Sequence, residues 1–158
     1  MARPSVYIET TVISYRTASP SRDLIVAAHH EITREWWERA LPNLEPFVSP
    51  FVIDEVSRGD PAAAKERLEA IASFSVLGVP VEVEDLAQQY FTAIDIPERA
   101  RIDSLHLAIA AWHGMDYLVS WNCTHIASAR VRRIIGAIND GLDIRTPIIC
   151  TPEELMEV

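Results

Sequence analysis

Short apolar runs rich in β-branched and aromatic residues recur along this chain, and nearly every one gives way to a stretch of helical composition. Strands are expected at 5–9, 47–49, 75–77, 117–120 and 146–150. Runs that are apolar throughout suit strands covered on both faces, and the intervening helices supply that cover. This alternation constrains the chain to an α/β fold with a central five-stranded parallel sheet. Its 158 residues suit one domain over 1–158. No internal repeat or long linker divides it.

The punctuation supports the same pattern. Asp23 is placed to cap a helix reaching about residue 40, where Pro42 stops it. Pro50 opens a helix ending at Gly59, and Asp60-Pro61 is an N-cap followed by proline in the first turn. Helical composition resumes over 85–94. Pro97 opens a longer helix closed by Gly114, and another is expected over 128–138 before the turn 139–141. Thr151, with Pro152 and Glu154, reads as the start of a last short helix. No element is expected over 10–18, and Ser19-Pro20-Ser21 reads as loop.

Composition narrows the function. Apolar residues make up 49% of the chain, enough for a core and too many for a disordered protein. The net charge is −9, from 23 acids against 14 bases. Such a chain is repelled by bulk nucleic acid, which argues against a coat protein but not against an enzyme that meets phosphates locally. No apolar run approaches the ~20 residues of a membrane span, and the N-terminus lacks the apolar core of a signal peptide. The expectation is a cytoplasmic protein with no membrane partner. Cys123 and Cys150 lack zinc-site spacing and read as free thiols.

In open α/β sheets, ligands bind beyond the carboxyl ends of the strands where strand order reverses. The first strand ends in Glu9, followed by Thr10 and Thr11. The fourth ends in Ser120, followed by Trp121 and Asn122. Asp54 and Glu55 follow the second strand. Asp103 opens the apolar stretch SLHLAIAAW, where an isolated carboxylate costs several kcal/mol unless neutralised. Each acid alone has a plainer role: Glu9 as a cap for a following turn, Glu55 on a solvated face, Asp103 paired with Arg99 or Arg101 or serving as a helix cap. Together, carboxylates at one strand end repel one another, and a divalent cation relieves that repulsion. Oxygen donors favour Mg²⁺ or Mn²⁺. A cation of this kind activates water and clamps phosphate oxygen, the chemistry of phosphodiester hydrolysis.

At these residues the chain resembles PIN-domain proteins of the VapC-like toxin branch. The resemblance runs through VYIETTVISY (6–15), SPFVIDEVSRG (49–59), RIDSLHLAIAAWHGMDYLVSWN (101–122) and NCTHIA (122–127). It implies a PIN-like three-layer α/β/α fold and a Mg²⁺- or Mn²⁺-dependent endoribonuclease that cuts single-stranded RNA with metal-activated water. It also implies the toxin of a toxin–antitoxin pair, with a cognate antitoxin protein as partner and a homodimeric assembly. Glu9, Glu55, Asp103 and Asn122 match the family's catalytic and metal-holding positions, and Thr11 matches its accessory hydroxyl. Two matches depart from the pattern: the first acid is usually Asp, and the fourth is commonly Asp. Three formal negatives remain, which suits Mn²⁺ dependence or weak activity. The competing expectation is a PIN-like module that binds RNA or protein and cuts poorly.

Other residues have two readings each. His106 suits a packed helix position or a ligand. His125 suits a loop cap or a contact to substrate phosphate, and Ser120 is a further accessory candidate. Arg130, with Arg132 and Arg133, can guide an RNA backbone or pair with nearby acids. His29 and His30 are expected to be solvated, and Asp116 to serve a turn at the opposite end of the sheet. One of Trp36 and Trp37 is expected in the core; by the resemblance, this region meets an antitoxin peptide or a second subunit. No GxGxxG, GxxxxGK[ST] or GxSxG is present, so dinucleotide, P-loop and α/β-hydrolase chemistry lack support. A phosphatase would want a DxD after the first strand, where Glu9-Thr10-Thr11 stands.

Overall fold

The computed structural model describes residues 2–158. The strands β1 (Ser5–Ile8), β2 (Glu45–Val48), β3 (Ser75–Val76), β4 (Tyr117–Val119) and β5 (Ile148–Cys150) form one all-parallel sheet in the order β3-β2-β1-β4-β5. Tyr7 on β1 lies opposite Phe47 on one side and Leu118 on the other. The chain builds outward from β1 to β2 and β3, then returns to the other side of β1 for β4 and β5. The reversal therefore falls between β1 and β4, and the crevice beyond their carboxyl ends is the expected ligand position.

Around the sheet lie α1 (Thr10–Thr17), α2 (Leu24–Arg39), α3 (Pro50–Val56), α4 (Pro61–Ala70), α5 (Val81–Ile94), α6 (Arg101–Trp112) and α7 (Ala129–Gly141), giving the α/β/α layering. Helix α1 packs on α2, α3 and α4, whereas α5 packs on α6 and α7. Val6, Tyr7 and Ile8 are fully buried, as a central strand covered on both faces requires. The edge strand β3 is two residues long and exposed. Short edges limit unwanted strand pairing. Among the described residues, no helix is long and apolar enough to cross a membrane.

Most helix starts follow their caps. Asp23 accepts from the amides of Ile25 and Val26, Ser49 from Val52, Asp60 from Ala63 and Ser128 from Val131. Five expectations need correction. Residues 10–17 form α1, nucleated when the Glu9 carboxylate caps its first turn and anchored by buried Val12 and Ile13. Helix α5 begins at Val81 rather than 85, because Val83 is already a core residue. The helix opened by Pro97 begins as a 3-10 turn over Glu98–Ala100 before α6.

Residues 139–141 belong to α7, because buried Asn139 is held by Tyr90 and Thr146; the reversal comes at Asp143, with φ 55°. Thr151 and Glu154 do exchange hydrogen bonds as in a capping box, but only turns follow. As expected, Asp116 serves the far end of the sheet, accepting from the Ser5 amide at 2.8 Å. Both cysteines are free.

Candidate active site

Three elements bring three carboxylates to the reversal between β1 and β4. Glu9 follows β1 directly, and its amide continues the sheet by donating to the Val119 carbonyl at 3.1 Å. Its backbone remains extended, so its side chain emerges on the same side of the strand line as Tyr7. Glu55 lies in the last turn of α3. Asp103 lies in the first turn of α6, next to that helix's N-terminus, where a negative charge is favoured.

Glu9 is 3% exposed. Its Oε1 accepts from Thr11 Oγ1 at 2.6 Å and Ser120 Oγ at 2.5 Å, and its Oε2 from the Thr11 amide at 3.1 Å. Burial pushes its carboxyl above the ordinary range, against the opposing pull of the His106 charge and these hydrogen bonds. The cap role and the candidate site role thus fall on one side chain. Thr11 is itself fixed, since its Oγ1 accepts from the Trp121 amide at 2.9 Å.

Glu55 Oε1 accepts from Thr10 Oγ1 at 2.7 Å and pairs with His106 Nε2 at 2.7 Å. Burial alone would raise its carboxyl. The His106 hydrogen bond and charge, helped by Thr10 and Arg58, outweigh burial and hold it below the ordinary value. Its neighbour Asp54 points away and pairs with Arg58 on the exposed face. Within IDEV, the structure therefore turns Glu55 inward and Asp54 outward.

Asp103 does not pair with Arg99 or Arg101. Arg101 is taken by Glu98 and Gln88, and lies over the Phe91 ring. Asp103 Oδ2 instead meets His125 Nδ1 at 3.0 Å. The His125 amide donates to Asn122 Oδ1 at 2.9 Å, and the Asn122 amide donates to Ser120 Oγ at 2.9 Å. Hydrogen bonds thus run from Glu9 through Ser120, Asn122 and His125 to Asp103. The candidate residues Glu9, Thr11, Glu55, Asp103, Ser120, Asn122 and His125 all join these networks.

Arg130 does not join them. Its Nη2 donates to the Ile94 carbonyl at 2.7 Å, closing the C-terminal end of α5. Arg132 similarly donates to the Ile149 carbonyl at 3.1 Å. His29 and His30 are not solvated as expected: His29 stacks on Trp121 at 4.0 Å, and His30 is buried edge-on to Tyr15. Trp36 is in the core and Trp37 packs against Phe74.

His106 occupies the packed helix position expected of it and also touches the candidate site. Its ring is wholly buried, with Nδ1 2.7 Å from the Tyr7 hydroxyl and Nε2 on Glu55. Burial lowers its pKa, but the Glu55 hydrogen bond and the charges of Glu9, Glu55 and Asp103 more than reverse this and raise it. One imidazole thus senses all three carboxylates. Tyr7 continues the network to Ser49 Oγ at 2.7 Å. Burial, with the charges of Glu9 and Glu55, holds its phenol well above the ordinary value despite the Ser49 hydrogen bond. The available signal was spacing: His106 stands one helical turn after Asp103, and Tyr7 stands two residues before Glu9.

The donor set suits a hard divalent cation, being three carboxylates and one amide oxygen. Among the described residues, nothing donates to Glu55 Oε2 or Asp103 Oδ1, the oxygens best placed to accept an ion. Glu9 and Asn122 have lone pairs left beyond those already used. Among the described residues, no three His, Cys, Asp or Glu side chains already stand as a metal-holding cluster. The chain matches no protein-family model and no curated protein.

Proposed function

We propose that this chain is a PIN-like, VapC-like ribonuclease that uses Mg²⁺ or Mn²⁺ to cut single-stranded RNA. In this reading it acts in the cytoplasm as a homodimeric toxin, held in check by an antitoxin protein. One observation carries the reading: β1, α3 and α6 deliver Glu9, Glu55 and Asp103 to the strand-order reversal, where all three charges act on His106. Carboxylates with little else to gain from proximity are gathered where α/β sheets bind ligands. The carboxyls of Glu9 and Glu55 are both shifted from their ordinary values, and perturbed groups at such a place are candidates for a functional site.

Glu55 and Asp103 would hold the cation through their unbonded oxygens, with Glu9 and Asn122 completing the oxygen set. The cation would supply activation of water and charge stabilisation on the phosphate. The protein's own part is positioning. Thr10 and His106 fix Glu55, and His125 fixes Asp103. Ser120 and Thr11 fix Glu9, and the Asn122 side chain shapes the loop that carries His125.

A second reading is favoured by the commitment of Glu9 and Asn122. Glu9 already accepts three hydrogen bonds, and the Asn122 oxygen already holds the His125 amide. A site so engaged suits a module that binds RNA or protein and cuts weakly. Incubating mixed-sequence single-stranded RNA with purified protein in Mg²⁺, Mn²⁺ or EDTA separates the two. The nuclease reading expects metal-dependent cutting that Asp103→Asn abolishes while the melting transition persists. Full activity in Asp103→Asn overturns the site assignment, and no cutting with either metal by folded, partner-free protein supports the binding module.

A further inference from the structure

We propose that Ser49, Tyr7 and His106 form a buried positioning relay that sets where the Glu55 carboxylate stands relative to Glu9 and Asp103. The inference rests on the reading of these acids as one cation-holding site and adds three residues to it.

The relay joins the elements that carry the acids. Ser49 is the N-cap of α3, accepting from the Val52 amide, and Glu55 lies at the other end of the same helix. Tyr7 belongs to β1, two residues before Glu9. His106 belongs to α6, one turn after Asp103. Three contacts of 2.7 Å, Ser49 to Tyr7, Tyr7 to His106 and His106 to Glu55, therefore tie β1, α3 and α6 at fixed spacing.

Donor counting gives the relay a direction. With a neutral ring, the Ser49 hydroxyl donates to Tyr7, Tyr7 donates to Nδ1, and Nε2–H donates to Glu55. With a charged ring, Nδ1–H donates to Tyr7 and Nε2–H still donates to Glu55. Either way Glu55 Oε1 is held, leaving Oε2 free to turn outward. Packing alone does not require this arrangement. A buried imidazole needs its two nitrogens satisfied, but not by a strand tyrosine that is itself tied to the N-cap of α3 and by the acid in that helix's last turn. Residues that orient a ligating side chain in this way typically affect metal affinity by 10–100-fold.

The test compares wild type, His106→Ala, His106→Gln and Tyr7→Phe, each shown to be folded by its melting curve. Mn²⁺ affinity is measured by titration calorimetry, and crystal structures locate Glu55. His106→Ala is expected to weaken Mn²⁺ binding about 10–100-fold. His106→Gln, which retains an N–H donor, should recover part of that loss, and Tyr7→Phe should weaken binding several-fold. A purely structural role would lower melting temperature without ranking the variants this way. Wild-type affinity in His106→Ala overturns the relay. If that variant does not fold, wild-type affinity in Tyr7→Phe does so. If wild type takes up no Mn²⁺, the metal reading falls and the crystal structures decide the relay. Glu55 displaced from Thr10 in the His106 variants supports it, and Glu55 unmoved overturns it.

Discussion

His106 and Glu55 each correct the cost of burying the other, and this makes their pair sensitive to pH from both sides. Burial would raise Glu55 and lower His106, yet their contact leaves Glu55 below its ordinary value and His106 above its own. A depressed carboxyl contributes stability above its unfolded pKa, which is lost as pH falls through the folded one. A raised imidazole contributes stability below its unfolded pKa, which is lost as pH rises through the folded one. The pair should therefore stabilise most between about pH 4.5 and about pH 6.5. In EDTA, the melting temperature of wild type minus that of His106→Gln is expected to peak in that window and shrink on both sides. A difference that stays flat with pH would contradict the charge coupling. That Glu9, Glu55 and Asp103 lie toward one end of the sheet was legible from the order of strands and helices, together with the family resemblance. The partners were not: Asp103 meets His125 rather than Arg101, which Glu98 and Gln88 already hold. Such competition depends on side chains brought together only by folding.

Strands and most helices were legible because apolar runs and caps are local signals. Helix α1 was not. TTVISYRT is rich in β-branched residues with poor helix propensity, and it forms because Glu9 caps it and α2, α3 and α4 surround it. The end of α7 was not legible for a related reason, since Asn-Asp-Gly is a turn signal that a buried tertiary contact overrides. That contact makes its own prediction. Asn139 Oδ1 accepts from the Tyr90 hydroxyl and its Nδ2 donates to Thr146 Oγ1 at 2.9 Å, tying α5, α7 and the lead into β5. Asn139→Ala leaves the Tyr90 hydroxyl buried without its partner, at a cost of about 1–3 kcal/mol. For a domain of this size that is a fall of about 2–12 °C in melting temperature. Tyr90→Phe removes the other partner, so the double variant should lose less than the sum of the singles. Strict additivity in thermal melts would show that the two side chains do not act as a unit.

At the scale of the whole molecule, a chain of net charge −9 folds with three of its acids held at one sheet end. Repulsion among them opposes folding, and a cation bound only in the folded state offsets it by mass action. On the proposed reading, Mn²⁺ at about 100 times its dissociation constant adds about 2.7 kcal/mol of stability. This corresponds to a rise of about 5–11 °C in melting temperature, reversed by EDTA. General attraction between an acidic surface and a divalent ion would also raise melting temperature, so the controls must separate site from surface. Glu55→Gln and Asp103→Asn remove one charge each from the site and should lose most of the Mn²⁺-dependent rise. Asp54→Asn removes one charge beside Glu55, where the carboxylate faces solvent and pairs with Arg58. It should keep the rise nearly whole. The three substitutions change net charge equally, so a surface effect predicts equal losses and a site effect predicts two large losses and one small. Equal rises in all three variants would place the ion on the acidic surface and remove the cation from this site.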